Sequence, residues 1–284
     1  AIGMDNYLAN PMTATAAAEV DGMECTTCHA ALPNGDPDFA AVRAIASVRF
    51  PPRPGTGVTV VTAAFDNPVD NVCGTCHSGR ETTDSVNVGI GATANTSWTI
   101  SFKNVHYLPA AAVVLGDEAK VGYQFSGKTY AGAATHGLAQ ASCVDCHSPL
   151  GTEHTFDVHD NLAACATCHG ANPLHAFKAA ARGAVDYDGD TVVEDLPDEL
   201  AGLEALLFSA IQAYCTANGH TCSYNGAAYP YWVVTGATTK FNPIAAKAAF
   251  NYHVYQKEPG AWAHNFDYMA QLIIDSIEAV GGDT

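Results

Sequence analysis

The chain has 284 residues, enough for one large domain or two modest ones. Twelve Lys and Arg stand against 29 Asp and Glu, a net charge of −17, which argues against nucleic-acid or anionic-lipid partners; it reads as a solvated surface or as steering of cationic partners. There is no run of 18 or more apolar residues, so no membrane span is expected.

In chain order, the opening AIGMDNYLAN lacks a basic region and an apolar leader. It reads as the start of a secreted chain after removal of its signal peptide. The pentapeptide C-x-x-C-H then occurs four times: CTTCH at 25–29, CGTCH at 73–77, CVDCH at 143–147 and CATCH at 165–169. This is the attachment motif of c-type haem. Its two thiols, Cys25 and Cys28, Cys73 and Cys76, Cys143 and Cys146, Cys165 and Cys168, add to the two porphyrin vinyl groups. The next residue, His29, His77, His147 or His169, is thereby placed under the iron as proximal ligand. Zinc ribbons also use C-x-x-C pairs but do not require His after every second Cys, and a thioredoxin-like site needs only one pair. Four c-type haems are therefore expected. Attachment through thioethers takes place outside the cytoplasm, which places the chain in the periplasm or beyond.

Between the motifs, residues 33–70 mix Pro and Gly with short alternating runs such as GVTVVTAAF, a candidate hairpin, and TANTSWTISFK at 93–103 reads similarly. No long helical or strand pattern dominates the first 180 positions, so this part is expected to bury little side-chain core of its own and to use the porphyrins as core. The third and fourth motifs start only 22 residues apart, so their haems should stack closely with coupled titration. DYDGDTVVEDLPDEL spaces Asp186, Asp188, Asp190 and Glu194 like calcium-loop ligands. Thr191 and Pro197 stand where an EF-hand has Gly and Glu, which favours a solvated acidic turn over calcium.

After residue 180 three helices are predicted. ELAGLEALLFSAIQAYC carries Leu200, Leu203, Leu207, Ile211 and Tyr214 on one face, with Asp198 as cap and Asn218-Gly219 as stop. NPIAAKAAFNYHVYQKEPG has Asn242 as N-cap and Pro243 at the first position. NFDYMAQLIIDSIEAVGG ends at Gly281. The two cysteines left over, Cys215 and Cys222, flank an Asn-Gly turn and are expected to form a disulfide. The fold class is a multihaem cytochrome c, coil-rich with few short helices and strands on four haems. Its tetrahaem-binding body covers 1–180 and a small helical region without a haem covers 181–284.

Four irons need four more axial ligands or an open face. Eight further histidines are available, at 106, 136, 154, 159, 175, 220, 253 and 264. Methionine is a poor alternative, since Met23 adjoins its own motif and Met269 lies inside a helix. His154 follows His147 too closely to reach round the same haem. Its target is a neighbour: the first, second or fourth.

The segments NVHYLPAAAVVLGDEAKVGYQFSGKTYAGAATHGLAQASCVDCH, GTEHTFDVHDNLAACATCH and AAFNYHVYQKEPGAWAHNFDYMAQLIIDSI resemble the tetrahaem, filament-forming outer-surface cytochromes of extracellular electron transfer. The resemblance covers roughly residues 100–284. It implies His106, His136 and His154 as distal ligands; His264, before the last helix, resembles a ligand of related multihaem proteins. His159, His175 and His253 are reserves, and His220 is expected at the surface. The resemblance further implies an extracellular or cell-surface electron carrier with no turnover chemistry. It would polymerise head to tail and exchange electrons with redox proteins or extracellular acceptors. A soluble periplasmic shuttle and an oxyanion reductase are the alternatives.

Overall fold

The computed structural model describes residues 23–52, 55–137, 139–149, 151, 154–169 and 185–283, with backbone alone at 160, 161 and 167–169. The opening segment AIGMDNYLAN and the reserve ligand His175 lie outside the described residues, as do the side chains of Cys168 and His169.

Each C-x-x-C-H motif nucleates a short helix: α1 (Cys25–Cys28), α2 (Asp70–Cys76), α5 (Cys143–His147) and α6 (Leu162–His169). Between them come α3 (Thr83–Ile90) and α4 (Ala110–Leu115). The described strands form four two-stranded antiparallel sheets. The hairpin expected around GVTVVTAAF is present: β4 (Val61–Ala63) pairs with β3 (Val48–Phe50), Val48 opposite Ala63. The stretch 93–103 makes no hairpin; Ile100 forms a lone bridge to Phe241. The apolar residues of that stretch are drawn onto the C-terminal core, where Ile100 is buried.

The three C-terminal helices are α7 (Leu196–Ala217), α8 (Pro243–Lys257) and α10 (Phe266–Ala279), with the single turn α9 (Ala261–His264) between the last two. Asn242 caps α8, accepting from the Ala245 amide at 2.9 Å, and Asn265 caps α10, accepting from Tyr268 at 3.2 Å. The first helix starts earlier than expected. Asp195 holds the N-cap position, Pro197 falls in the first turn where its missing N–H costs nothing, and Asp198 and Glu199 lie within that turn. Their charges then meet the positive end of the helix dipole. Cys215 and Cys222 are disulfide-bonded, joining the end of α7 to β7 (His220–Tyr224).

The expectation that the chain buries little core of its own does not hold. A single cluster of buried apolar side chains runs from Val48 to Val280 and crosses residue 180 freely. Its centre is α8, buried almost all round, whose Ala245, Ala246, Ala248 and Ala249 let α7 and α10 come close. The face Leu200, Leu203, Leu207 and Ile211 of α7 is fully buried, so this helix, long and apolar enough to cross a bilayer, packs one face against the core. The core escaped notice because much of it is alanine, and because α4 and residues 119–130 join it from far along the chain. Asn251 ties these parts together. Its side chain accepts from the Tyr123 amide at 2.5 Å and donates to the Tyr123 carbonyl and Ser276 Oγ, both at 2.9 Å.

Candidate haem-binding sites

Thiol pairs, imidazole pairs and the hydrogen bonds that aim them define the sites. Arg43 holds motif one by donating from Nε to the Thr26 carbonyl at 3.1 Å, with Nη2 on the same oxygen. Motif two is fixed from both sides. Gly74 lets β3 pass, since a Cβ there would lie 2.8 Å from Val48 Cγ2. Asn71 donates to the Ile45 carbonyl and accepts from the Phe65 amide, each at 3.0 Å. Motif three is joined to motif two, Asn67 donating to Ser142 Oγ at 3.1 Å and Asp70 Oδ1 accepting from the Val144 amide at 3.4 Å.

The motifs neighbour one another in sequence order. The Cys28 thiol is pushed up by burial and then by Cys73, and the Cys76 thiol by burial and then by Cys28. Cys73 and Cys143 hydrogen-bond, which with burial raises the Cys143 thiol. Cys146 is raised by burial and then by Cys165. The described motif cysteines are free thiols, whereas the leftover pair is bridged.

Histidines face each other across these motifs. His29 and His154 have ring centroids 6.1 Å apart with planes 35° from parallel, and His147 and His264 stand 6.2 Å apart at 42°. Two imidazoles bonded through Nε2 to opposite sides of one iron, at metal–nitrogen distances of about 2.0–2.1 Å, place their centroids about 6 Å apart. His106 lies close enough to His77 for their charges to repel; burial first, then Arg80 and His77, push the His106 pKa down. Gly79 makes that approach possible. Its carbonyl accepts from the His106 amide at 2.7 Å, its φ is +79°, and a Cβ would strike Val121 at 2.7 Å. His136 is exposed in the short hairpin before motif three, opposite Ala139.

Several Nδ1 atoms are engaged, which leaves Nε2 for a metal. His77 Nδ1 donates to the Leu108 carbonyl at 2.8 Å, and His147 Nδ1 to that of Phe156 at 2.7 Å. His264 Nδ1 donates to Glu258 Oε1 at 2.8 Å. A cavity of about 150 Å³ lined by Ala131, Gly132, Ala133, Ala134 and Trp262 opens beside His264, so small side chains leave room along the imidazole. Free paired thiols, facing imidazoles at the spacing of one metal and this open cradle together fit c-type haem.

The remaining histidines have other roles. His159 pairs with Asp157 at 2.8 Å. His253 is completely buried, with Nδ1 accepting from the Tyr224 hydroxyl at 2.9 Å and Nε2 donating to Asn104 Oδ1, so no nitrogen is left for iron. His220, expected at the surface, is instead 7% exposed, because its ring stacks on Trp98 at 3.9 Å. The acidic loop gathers two overlapping carboxylate triads, Asp186, Asp188 and Glu199, and Asp188, Asp190 and Glu194. Glu199 was missed from sequence; it is buried and accepts from the amides of Tyr187 at 2.7 Å and Glu194 at 2.8 Å.

No protein-family model matches the chain, and no solved structure does. Two curated proteins of Geobacter sulfurreducens are similar to it. The c-type polyheme cytochrome OmcB is 29% identical over 257 residues, covering 80% of this chain and 33% of its own. The c-type polyheme cytochrome OmcC is 29% identical over 257 residues, covering 79% and 32%. The chain thus spans about a third of the length of these relatives, and the similarity supports a multihaem c-type cytochrome.

Proposed function

We propose that the chain is an extracellular electron carrier of the multihaem c-type cytochrome family, holding four c-type haems in a row with two histidines on each iron. The observation that carries this reading is the facing of His29 by His154 and of His147 by His264 at the separation one iron requires. We pair His77 with His106 on their proximity, and assign His136, the remaining resemblance-based candidate, to the fourth iron with His169. The haem supplies a one-electron ferric/ferrous couple. The chain fixes each attachment point, presents Nε2 from both sides and closes the positions where a substrate would bind. With both faces filled, conduction is favoured over turnover, and a reductase would need one open face.

The neighbouring of successive motifs supports a continuous path, since electron transfer falls steeply with the gap between haems. Head-to-tail assembly into a filament is the longer-range form of this function, suggested by the resemblance to filament-forming cytochromes; a periplasmic shuttle is its competitor. Electron microscopy of native material separates them, and uniformly dispersed monomers with all haems low-spin would end the filament reading. Calcium on Asp186, Asp188, Asp190 and Glu194 is a lesser part of the proposal, tested by a melting-temperature rise with calcium that a chelator reverses.

The ligand pairing is tested by spectroscopy of single substitutions. His154→Ala is expected to convert one of four low-spin haems to high-spin, and His159→Ala none. The reverse pattern would overturn the pairing. A stoichiometric high-spin signal in the unaltered protein would favour an enzyme.

A further inference from the structure

The Glu258-Pro259-Gly260 turn after α8 does more than stop that helix. Glu258 is 1% exposed, and its Oε1 accepts from His264 Nδ1 at 2.8 Å and from the Gly260 amide at 3.2 Å. Its other oxygen, Oε2, is buried with no hydrogen-bond partner among the described residues. The turn holds this pair tightly. The His264 amide donates to the Gly260 carbonyl at 2.9 Å, and a Cβ on Gly260 would lie 2.6 Å from His264 Cε1 and 3.1 Å from Glu258 Oε1. On the far side, His147 gives its Nδ1 proton to the neutral Phe156 carbonyl, as His77 does to Leu108. His264 Nδ1 instead meets a carboxylate oxygen, that of Glu258.

A carboxylate drawing on the Nδ1 proton makes an imidazole a more basic ligand, and its charge in a dry site favours the ferric state. We propose that Glu258 is a tuning residue for the third iron, acting through His264 to make the haem at Cys143 and Cys146 harder to reduce than it would be with a carbonyl partner. This rests on His264 as the distal ligand of that iron.

The test compares Glu258→Gln and His264→Ala in the full haem-loaded chain by potentiometric titration followed optically and by electron paramagnetic resonance. Glu258→Gln keeps an acceptor oxygen and removes the charge. It is expected to leave four low-spin haems and move one redox step upward, raising the reduced-to-oxidised ratio at its former midpoint about tenfold, 59 mV for one electron. An unshifted titration, with His264→Ala losing one low-spin haem, would overturn the role of Glu258 and keep the ligand assignment. Four low-spin haems in His264→Ala would overturn both. Loss of a low-spin haem in Glu258→Gln would show that Glu258 only holds the ring in place, which also overturns tuning.

Discussion

His253 and His264 carry the same side chain and are put to opposite uses. His264 has Nδ1 on Glu258 and its ring 6.2 Å from that of His147, while His253 has both nitrogens engaged by Tyr224 and Asn104 inside the core. Burial, reinforced by Lys257, pushes the His253 pKa down from its ordinary value to about 3. The unfolded chain protonates at about 6.5, so between about pH 6.5 and 3 it takes up a proton that the folded state refuses. Stability from this group is complete above that window and declines as pH falls through it, by on the order of a few kcal/mol. Urea midpoints at pH 7 and pH 4.5 check this: the drop in the wild type is expected to be smaller in His253→Gln. At this scale the sequence was legible where chemistry is local, since two thiols and a histidine must lie within five positions to serve one haem. The partner across each iron was not legible, because chain separation carries no information on which histidine faces which motif.

The C-terminal helices were legible to within a turn because Asn242, Asn265, Pro243 and Gly281 mark their ends by local backbone chemistry. The start of α7 differed because Asp195 and Asp198 are both acceptable caps, and only packing of the Leu200 face decides the register. That face predicts its own cost. Leu207→Ala should destabilise by about 2–5 kcal/mol, read by denaturant titration, as a cavity opens against α10 and α8. Replacing Cys215 and Cys222 by Ser removes a constraint on the unfolded chain and should cost about 2–3 kcal/mol. Haem spectra should stay unchanged, because neither cysteine belongs to an attachment motif.

Across the whole molecule, the core and the candidate haem row are built together. Asn265 caps α10 and donates to the Gly132 carbonyl at 2.9 Å, so the helix that completes the core also sets His264 beside the cavity wall. Asn251→Leu should therefore loosen more than the core. It strands the Tyr123 amide and carbonyl and should cost about 3 kcal/mol. Composition hid this union, since an alanine-rich sequence with few charges resembles a chain that needs porphyrins to fold.

The facing of His29 by His154 also sets an order in time. Motif one leaves the ribosome and the export channel ahead of motif three, but its proposed second imidazole emerges only after motif three. During export the first iron would have one face uncovered and reactive, and it would be sealed only when His154 arrives. A haem-loaded His154→Ala chain should therefore bind carbon monoxide at the first iron, whereas the unaltered chain should not. Maturation would thus pass through a stage open to small ligands that the finished chain no longer admits.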